Sequence, residues 1–283
     1  MEIRKVGVIG CGLMGGGIAQ TCAQAGYTTI VREINQEFLD KGMARIEAAW
    51  KKMEGKGKLT AQQAAETREH LQGTINLEDL ADCDLIIEAV IENMEEKVRL
   101  YPALDRLLKP EALLLSNTSS LSVTQMGAVT KRPDKVAGLH FFNPAPVMQL
   151  VEIVRTLSTS DETIATVQQF AQSLGKTPVL AKDTAGFIVN FLLIPYLISA
   201  IRMLENGTAT RDDIDTAMKL GCGYPMGPFT LLDYVGLDTT LWAAEAIYDE
   251  YKDPLYAPPP LLRRMVQSGH YGKKSGKGFY DYQ

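Results

Sequence analysis

The sequence predicts an α/β protein in two parts: a doubly wound, mainly parallel sheet over residues 1–183, then an all-helical domain over residues 184–283. Three observations carry that prediction. Short β-branched and leucine-rich runs alternate with stretches of helical spacing through the first part, and strands that alternate with helices build parallel sheets covered on both faces. A glycine cluster, Gly10-Cys11-Gly12-Leu13-Met14-Gly15, sits between the first such run and the first helical stretch. After Asp183 the strand-like runs stop and only helical periodicity remains.

The first run, Ile3 to Ile9, ends at the glycines; helical spacing from Met14 to Ala25 stops at Gly26, and Thr28 to Val31 reads as a second strand. Gln36 to Lys52 has helical spacing. Lys51 to Lys58 is a glycine-broken basic turn, and a second helix is expected from Ala61 to near Leu71, so that residues 36–72 form a helical hairpin standing off the sheet. Buried-strand runs follow at Leu85 to Ala89, Leu113 to Ser116 and Val136 to Phe141, with a helix at Glu95 to Leu108 between the first two. Leu150 to Val154 and Pro178 to Leu180 bracket a helix at Glu162 to Leu174. Beyond the boundary, Phe187 to Glu205 is helical and closed by Gly207; Thr210 and Asp213 read as a capping box for a helix to Leu220, with Gly221 as its stop. More helices follow the turn Gly223 to Pro228. The apolar stretch Gly186 to Ile201 is short for a membrane span and contains Asn190 and Pro195, so it reads as a helix of a core or a subunit interface.

A formal net charge of -5 offers no polybasic surface, which argues against nucleic acid or a membrane as partner. Any bound anion must then meet a local lysine cluster. Cys11, Cys22, Cys83 and Cys222 show neither a CxxC pair nor metal-ligand spacing; they read as reduced thiols, and no metal site is predicted. The opening residues run straight into a strand pattern without an apolar or arginine-rich presequence, so a cytoplasmic protein is expected.

The glycine cluster has the spacing and setting of a dinucleotide-binding Rossmann turn. Its glycines let the turn close and let backbone approach a pyrophosphate, which the following helix N-terminus then faces. Gly10, Gly12, Leu13, Met14 and Gly15 are therefore candidate cofactor contacts. Glu33 ends the second strand, 18 residues after Gly15, where a carboxylate can bond both ribose hydroxyls and repel a 2′-phosphate. NAD(H) is expected, with some tolerance of NADP(H) because Arg32 lies beside Glu33.

In an open parallel sheet, ligands sit beyond the carboxyl ends of the strands, and two such ends here are polar: Ser116 to Ser120, and His140 to Pro144. His140 is one of three histidines. The strand, proline turn and strand from Val136 to Val154 can fold Glu152 back beside its imidazole, where a carboxylate fixes the tautomer and stabilises the imidazolium.

These residues resemble the short-chain (S)-3-hydroxyacyl-CoA dehydrogenases, most closely those of bacterial butyrate metabolism. The likeness spans the chain through VGVIGCGLMGGGIAQ, CDLIIEAVIENMEEK, LSNTSSLSVT, KRPDKVAGLHFFNPAPVMQLVEIV, DTAGFIVN, DIDTAMKLG, YPMGPFTLLD and KKSGKGFYDY. It implies hydride exchange at C3 of a 3-hydroxyacyl or 3-oxoacyl thioester, with His140 as general acid/base, Glu152 orienting it, and Ser119 and Asn190 on the substrate oxygen. It also implies Glu92, Lys97, Asn117, Ser119, Asn143 and either Lys274 or Lys277 around the cofactor. Lys52 and Lys56, in the one dense basic cluster, are implied at the phosphates of coenzyme A.

One departure stands out: after the Asn of DTAGFIVN the family pattern carries Arg, whereas this chain has Phe191. Two rival readings fit the residues less well. In the related dehydrogenases of free β-hydroxyacids the proton donor is a Lys four residues before a helix Asn, and Gly186 occupies that position here. A non-catalytic NAD-binding protein has no use for an intact set of Ser119, His140, Glu152 and Asn190. The apolar surface of the helical domain exceeds what roughly 100 residues can bury alone, and a homodimer through that domain is expected.

Overall fold

The computed structural model describes residues 2–282, which fall into two compact units divided after Asp183. In the first unit, β1 (Lys5–Ile9), β2 (Thr28–Arg32), β3 (Leu71–Thr74), β4 (Leu85–Glu88), β5 (Leu113–Ser116), β6 (Val136–Phe141), β7 (Leu150–Arg155) and β8 (Thr177–Lys182) form one sheet. Its order is β3-β2-β1-β4-β5-β6-β7-β8. The first six strands are mutually parallel, whereas β7 runs antiparallel to β6 and β8 parallel to β7. The reversal has a local cause. Residues 142–149 contain no crossover helix, and a short turn between neighbouring strands returns the chain antiparallel.

The helices of this unit are α1 (Leu13–Gln24), α2 (Gln36–Gly55), α3 (Ala61–Glu69), α4 (Met94–Leu107), α5 (Val123–Ala128) and α6 (Asp161–Ser173). Strand β3 corrects the expected end of the second helix: α3 stops at Glu69, and Leu71–Thr74 pairs with β2. The four-residue stretch LQGT holds one large apolar residue, so it carries no strand periodicity to read. Lys51 and Lys52 also differ from expectation, lying on the last turns of α2 rather than in a loop. Nor does α2 stand off the sheet along its length. Its buried Leu39, Ile46 and Trp50 join the core built by Val6, Val8, Ile18, Leu85 and Ile153. Helix α5, not anticipated, is capped by Ser122 and by Asp183, whose carboxylate accepts the N–H groups of Val123 and Thr124.

The second unit consists of α7 (Val189–Glu205), α8 (Arg211–Cys222), α9 (Pro228–Val235), α10 (Leu237–Tyr251) and α11 (Pro260–Gln267), with three-residue 3-10 turns. Ile194, Leu197, Ile201, Phe229, Leu232 and Ile247 are at its centre. Helix α7 begins at Val189 rather than Phe187, because Phe187 has φ 46°, outside helical geometry. Helix α8 runs past the expected Gly221 stop; the left-handed residue that ends it is Gly223, with φ 69°. The Thr210 cap is also half of what was expected: its hydroxyl accepts the Asp213 N–H and donates to the Asp213 carboxylate. Among the described residues no helix is long and apolar enough to cross a membrane.

Candidate active site

Most of the polar groups of interest in the first unit lie where the strands β1, β2, β4, β5 and β6 end. Gly10 follows β1 with φ 97°, a conformation open to glycine, and a Cβ there would meet the Ala89 carbonyl oxygen at 2.5 Å. Gly15 is equally constrained by the Gly10 carbonyl. Gly12 is different: a Cβ there would have no protein atom within 4 Å, so its own neighbours do not demand a glycine. That open face lies at the start of α1, whose first turn has no capping side chain and no acidic residue. These features suit a pyrophosphate held by backbone N–H groups.

Glu33 reaches the same loop. One carboxylate oxygen accepts the Cys11 N–H at 2.7 Å and the other the Ile34 N–H at 2.7 Å. Arg32 turns away, its Nε donating to the Ile75 carbonyl at 3.3 Å. Two charges meet the loop: the Glu33 carboxylate and, from α2, the Arg45 guanidinium, which donates to the Cys11 carbonyl at 3.3 Å.

Strand β6 brings His140 opposite Glu152 of β7. The imidazole Nδ1 and a Glu152 carboxylate oxygen are 2.7 Å apart, and Glu152 is fully buried. With Nδ1–H donating to the carboxylate, any proton exchange by this ring would run through Nε2. The Phe142 ring lies 4.5 Å from the imidazole, centroid to centroid, and adds an apolar wall. Asn117, at the end of β5, joins this strand to the serine loop: its Oδ1 accepts the Phe141 N–H at 2.9 Å.

Ser119 is half-buried in that loop and bonded to Glu92, whose Oε1 accepts the Ser119 N–H at 3.0 Å and the Thr118 hydroxyl at 2.6 Å. Burial pushes the Glu92 carboxyl up, but Lys97 and these hydrogen bonds outweigh it and hold the group below the usual carboxylate range.

Sequence comparison decides what these groups belong to. The profile of the 3-hydroxyacyl-CoA dehydrogenase NAD-binding domain matches residues 5–184, and that of the family's C-terminal domain matches residues 186–282. The chain belongs to the 3-hydroxyacyl-CoA dehydrogenase family. A probable 3-hydroxybutyryl-CoA dehydrogenase of Deinococcus radiodurans is 48% identical over 279 residues, covering 98% of this chain and 100% of the relative. The crystal structure of Mycobacterium tuberculosis FadB2 superposes with a TM-score of 0.98 at 46% identity, covering 100% of both chains. That of (S)-3-hydroxybutyryl-CoA dehydrogenase from Ralstonia eutropha gives 0.95 at 42%, again over 100% of both. The first unit of this dehydrogenase is thus the family's NAD-binding domain, and the protein is an oxidoreductase.

The remaining expected site residues of the dehydrogenase divide by unit. In the first, Asn143 is exposed in the turn after β6, and Lys52 and Lys56 are exposed at the end of α2. Lys97 is not at the surface: it is 1% exposed and ion-paired with Glu88 at 2.6 Å and Glu92 at 3.4 Å. In the second unit, Asn190 is half-buried on the first turn of α7. Beside it Phe191 stacks with Tyr251 and Tyr256 at 5.4 and 5.3 Å, an aromatic contact where the family pattern has a guanidinium. Lys274 is ion-paired with Asp238 at 2.6 Å, while Lys277 is exposed.

Two residues escaped the sequence reading. Glu88 closes the apolar run of β4 and looked like an ordinary strand end; only the carboxylate at the ligand-facing end of a buried strand could have flagged it. Lys176, largely buried, donates to the carbonyls of Ala145 at 2.6 Å and Met148 at 2.8 Å and so holds the turn between His140 and Glu152. Burial lowers its pKa. Nothing in a Gly-Lys-Thr stretch before a strand announces that contact.

Proposed function

We propose that this chain interconverts (S)-3-hydroxybutyryl-CoA and acetoacetyl-CoA, using NAD(H). The observation that carries the reading is the buried His140–Glu152 pair at the ligand-facing end of a dinucleotide-binding sheet. The four-carbon acyl group follows the printed activity of the relatives from Deinococcus radiodurans and Ralstonia eutropha.

A bound nicotinamide dinucleotide supplies or accepts the hydride at C3. His140 handles the proton: in reduction its Nε2–H is donated to the C3 oxygen as negative charge grows there, and in oxidation Nε2 takes that proton back. Glu152, held out of solvent, keeps Nδ1 as the donor and balances the positive charge of the imidazolium. Ser119 and Asn190 are neutral donors suited to polarising the C3 oxygen. Gly10, Gly12, Leu13, Met14 and Gly15 present backbone to the pyrophosphate, and Glu33 binds the ribose hydroxyls and disfavours a 2′-phosphate. Glu92, Asn117 and Asn143 line the cofactor, Lys274 or Lys277 contributes as the family resemblance implies, and Lys52 and Lys56 attract the phosphates of coenzyme A.

The test is NADH oxidation with acetoacetyl-CoA, free acetoacetate and a longer 3-oxoacyl-CoA, repeated with NADPH. Turnover of the free acid at the thioester's efficiency, or a larger kcat/KM with NADPH, refutes the corresponding part of the reading. A homodimer through the helical unit, in the cytoplasm, completes the proposal. Leu192, Leu220, Tyr234 and Trp242 are exposed on that unit and are the apolar side chains that a second copy would cover. A monomer mass by light scattering at micromolar concentration argues against the dimer.

A further inference from the structure

Beneath the serine loop lies a charge cluster that the proposed chemistry does not use directly. Glu88 ends β4, in register with Ile9 of β1 and Ser116 of β5, and is 1% exposed. One of its oxygens accepts the Val90 N–H at 2.8 Å and the Lys97 ammonium at 2.6 Å; the other accepts the Ser116 hydroxyl at 2.7 Å. Ser116 Oγ in turn accepts the Thr118 N–H at 3.2 Å. From the other side, Lys97 reaches Glu92, which holds Thr118 and Ser119. The loop carrying Ser119 is therefore gripped at two points by two carboxylates that share one buried ammonium.

We propose that Lys97 and Glu88 are positioning residues for the reaction: the Lys97 charge balances Glu88 and Glu92, and that balance fixes the placement of Ser119. The inference rests on the reading that Ser119 polarises the substrate oxygen. The ionisable groups facing the cluster are Glu88 on β4, Lys97 and Tyr101 on α4, and Glu92 on the loop between them. Tyr101 is fully buried and its phenol pKa is driven well up, first by burial and then by the Glu88 charge, so it stays neutral. Taking away the ammonium leaves two carboxylates, Glu88 buried and Glu92 partly exposed, with no cation between them. Such a pair binds a proton, because both charges cannot persist there uncompensated.

Lys97→Met keeps the length of the stem and removes the charge. Its expected signature is a fall in kcat for acetoacetyl-CoA reduction on the order of 10-fold at neutral pH, the scale of one charged hydrogen bond. The ratio of variant to parental kcat then rises as pH falls, as a proton takes the place of the ammonium. Infrared difference spectra of Lys97→Met should show a protonated-carboxyl C=O band that grows as pH falls over the same range and that the parental protein lacks, a readout independent of turnover. Adding Glu88→Gln removes the second charge, so the double variant loses the band and recovers turnover to within a few-fold of parental. A ratio that does not change with pH, together with no carboxyl band, overturns the proposal. Should Lys97→Met alone fail to fold, the double variant decides: turnover near parental supports charge balance, and a folded double variant with kcat down by more than about 100-fold overturns it. Parental turnover of acetoacetyl-CoA is the control for the underlying reading; if it is absent, the infrared comparison still judges the charge cluster.

Discussion

Replacing Glu152 with Gln keeps the shape of the side chain 2.7 Å from His140 Nδ1 and removes its charge. A hydrogen bond to an ionised partner contributes about 1.5–3 kcal/mol, against about 0.5–1.5 kcal/mol for a neutral one. Because Glu152 is fully buried, solvent screens little of that difference. The loss, about 1–1.5 kcal/mol, falls on the state in which the imidazole holds its second proton, and corresponds to about 10-fold in rate. Stopped-flow or steady-state reduction of NAD by (S)-3-hydroxybutyryl-CoA, the direction in which the imidazole gains that proton, should therefore give a kcat about 10-fold below parental. NADH affinity by fluorescence and the melting temperature should stay near parental values. His140→Ala removes the proton donor itself and should lower kcat by about 10²-fold or more. Since the carboxylate acts through the ring, His140→Ala/Glu152→Gln should be no slower than His140→Ala alone. Parental kcat in Glu152→Gln, or full additivity in the double variant, refutes the reasoning.

Three further outcomes follow from the same geometry. Lys52→Ala/Lys56→Ala removes two exposed charges at the end of α2 and should raise KM for a CoA thioester several-fold, more at low salt, with kcat unchanged; an unaltered KM removes these lysines from the substrate. Burial pushes the Cys11 thiol up to about 11 and those of Cys22 and Cys83 to about 12, whereas Cys222 is exposed, so a thiol reagent at mild pH should label one cysteine natively and four in denaturant. The folded-state pKa of Glu92 is depressed, so its stabilisation is complete above the unfolded value of about 4.3 and is lost as pH falls through the folded value. Denaturant melts should accordingly show less acid sensitivity below about pH 4.3 in Glu92→Gln than in the parental protein, and parallel curves would refute the assignment.

What the sequence made legible was whatever has a local period or a local exception. The glycine turn, the alternation of strands with helices and the polar residues at the ends of β5 and β6 could be read because each is a short contiguous pattern. Strand β3 was hidden because its side chains are mixed and its pairing partner lies about forty residues earlier, in β2. The grip on the serine loop was hidden for a related reason. Glu88 and Lys97 are nine residues apart across a strand end, a loop and a helix start, a spacing with no periodic meaning. Family resemblance did place Lys97 near the cofactor, but resemblance reports position and not exposure. Burial to 1% and two carboxylate partners are features that no motif reports.

The reversal of direction at β7 is the feature on which the pairing of His140 with Glu152 depends. In an antiparallel pair, directly opposed residues project to the same face with Cβ atoms about 4.5–5.5 Å apart, close enough for an imidazole and a carboxylate to bond. Leu139 opposes Ile153 and Phe141 opposes Val151, and all four join the apolar core on one face. His140 and Glu152 oppose each other on the alternate face, where Gly138 leaves room for Val154: a Cβ on Gly138 would lie 2.6 Å from that of Val154. Because side chains alternate with a period of two, a slip of one residue would turn Glu152 into the core and set an isoleucine or a valine against the imidazole. Inserting one glycine between Met148 and Gln149 forces the chain to choose. Keeping the register expels the extra residue into the turn held by Lys176, with activity largely retained; slipping it buries a carboxylate among aliphatic side chains at several kcal/mol. Retained melting temperature with a modest loss of kcat is the expected result, since the apolar pairs on the core face outweigh the strain of a longer turn. A folded variant with kcat as low as that of His140→Ala would mean that the turn, and not the core pairing, sets the register of the catalytic pair.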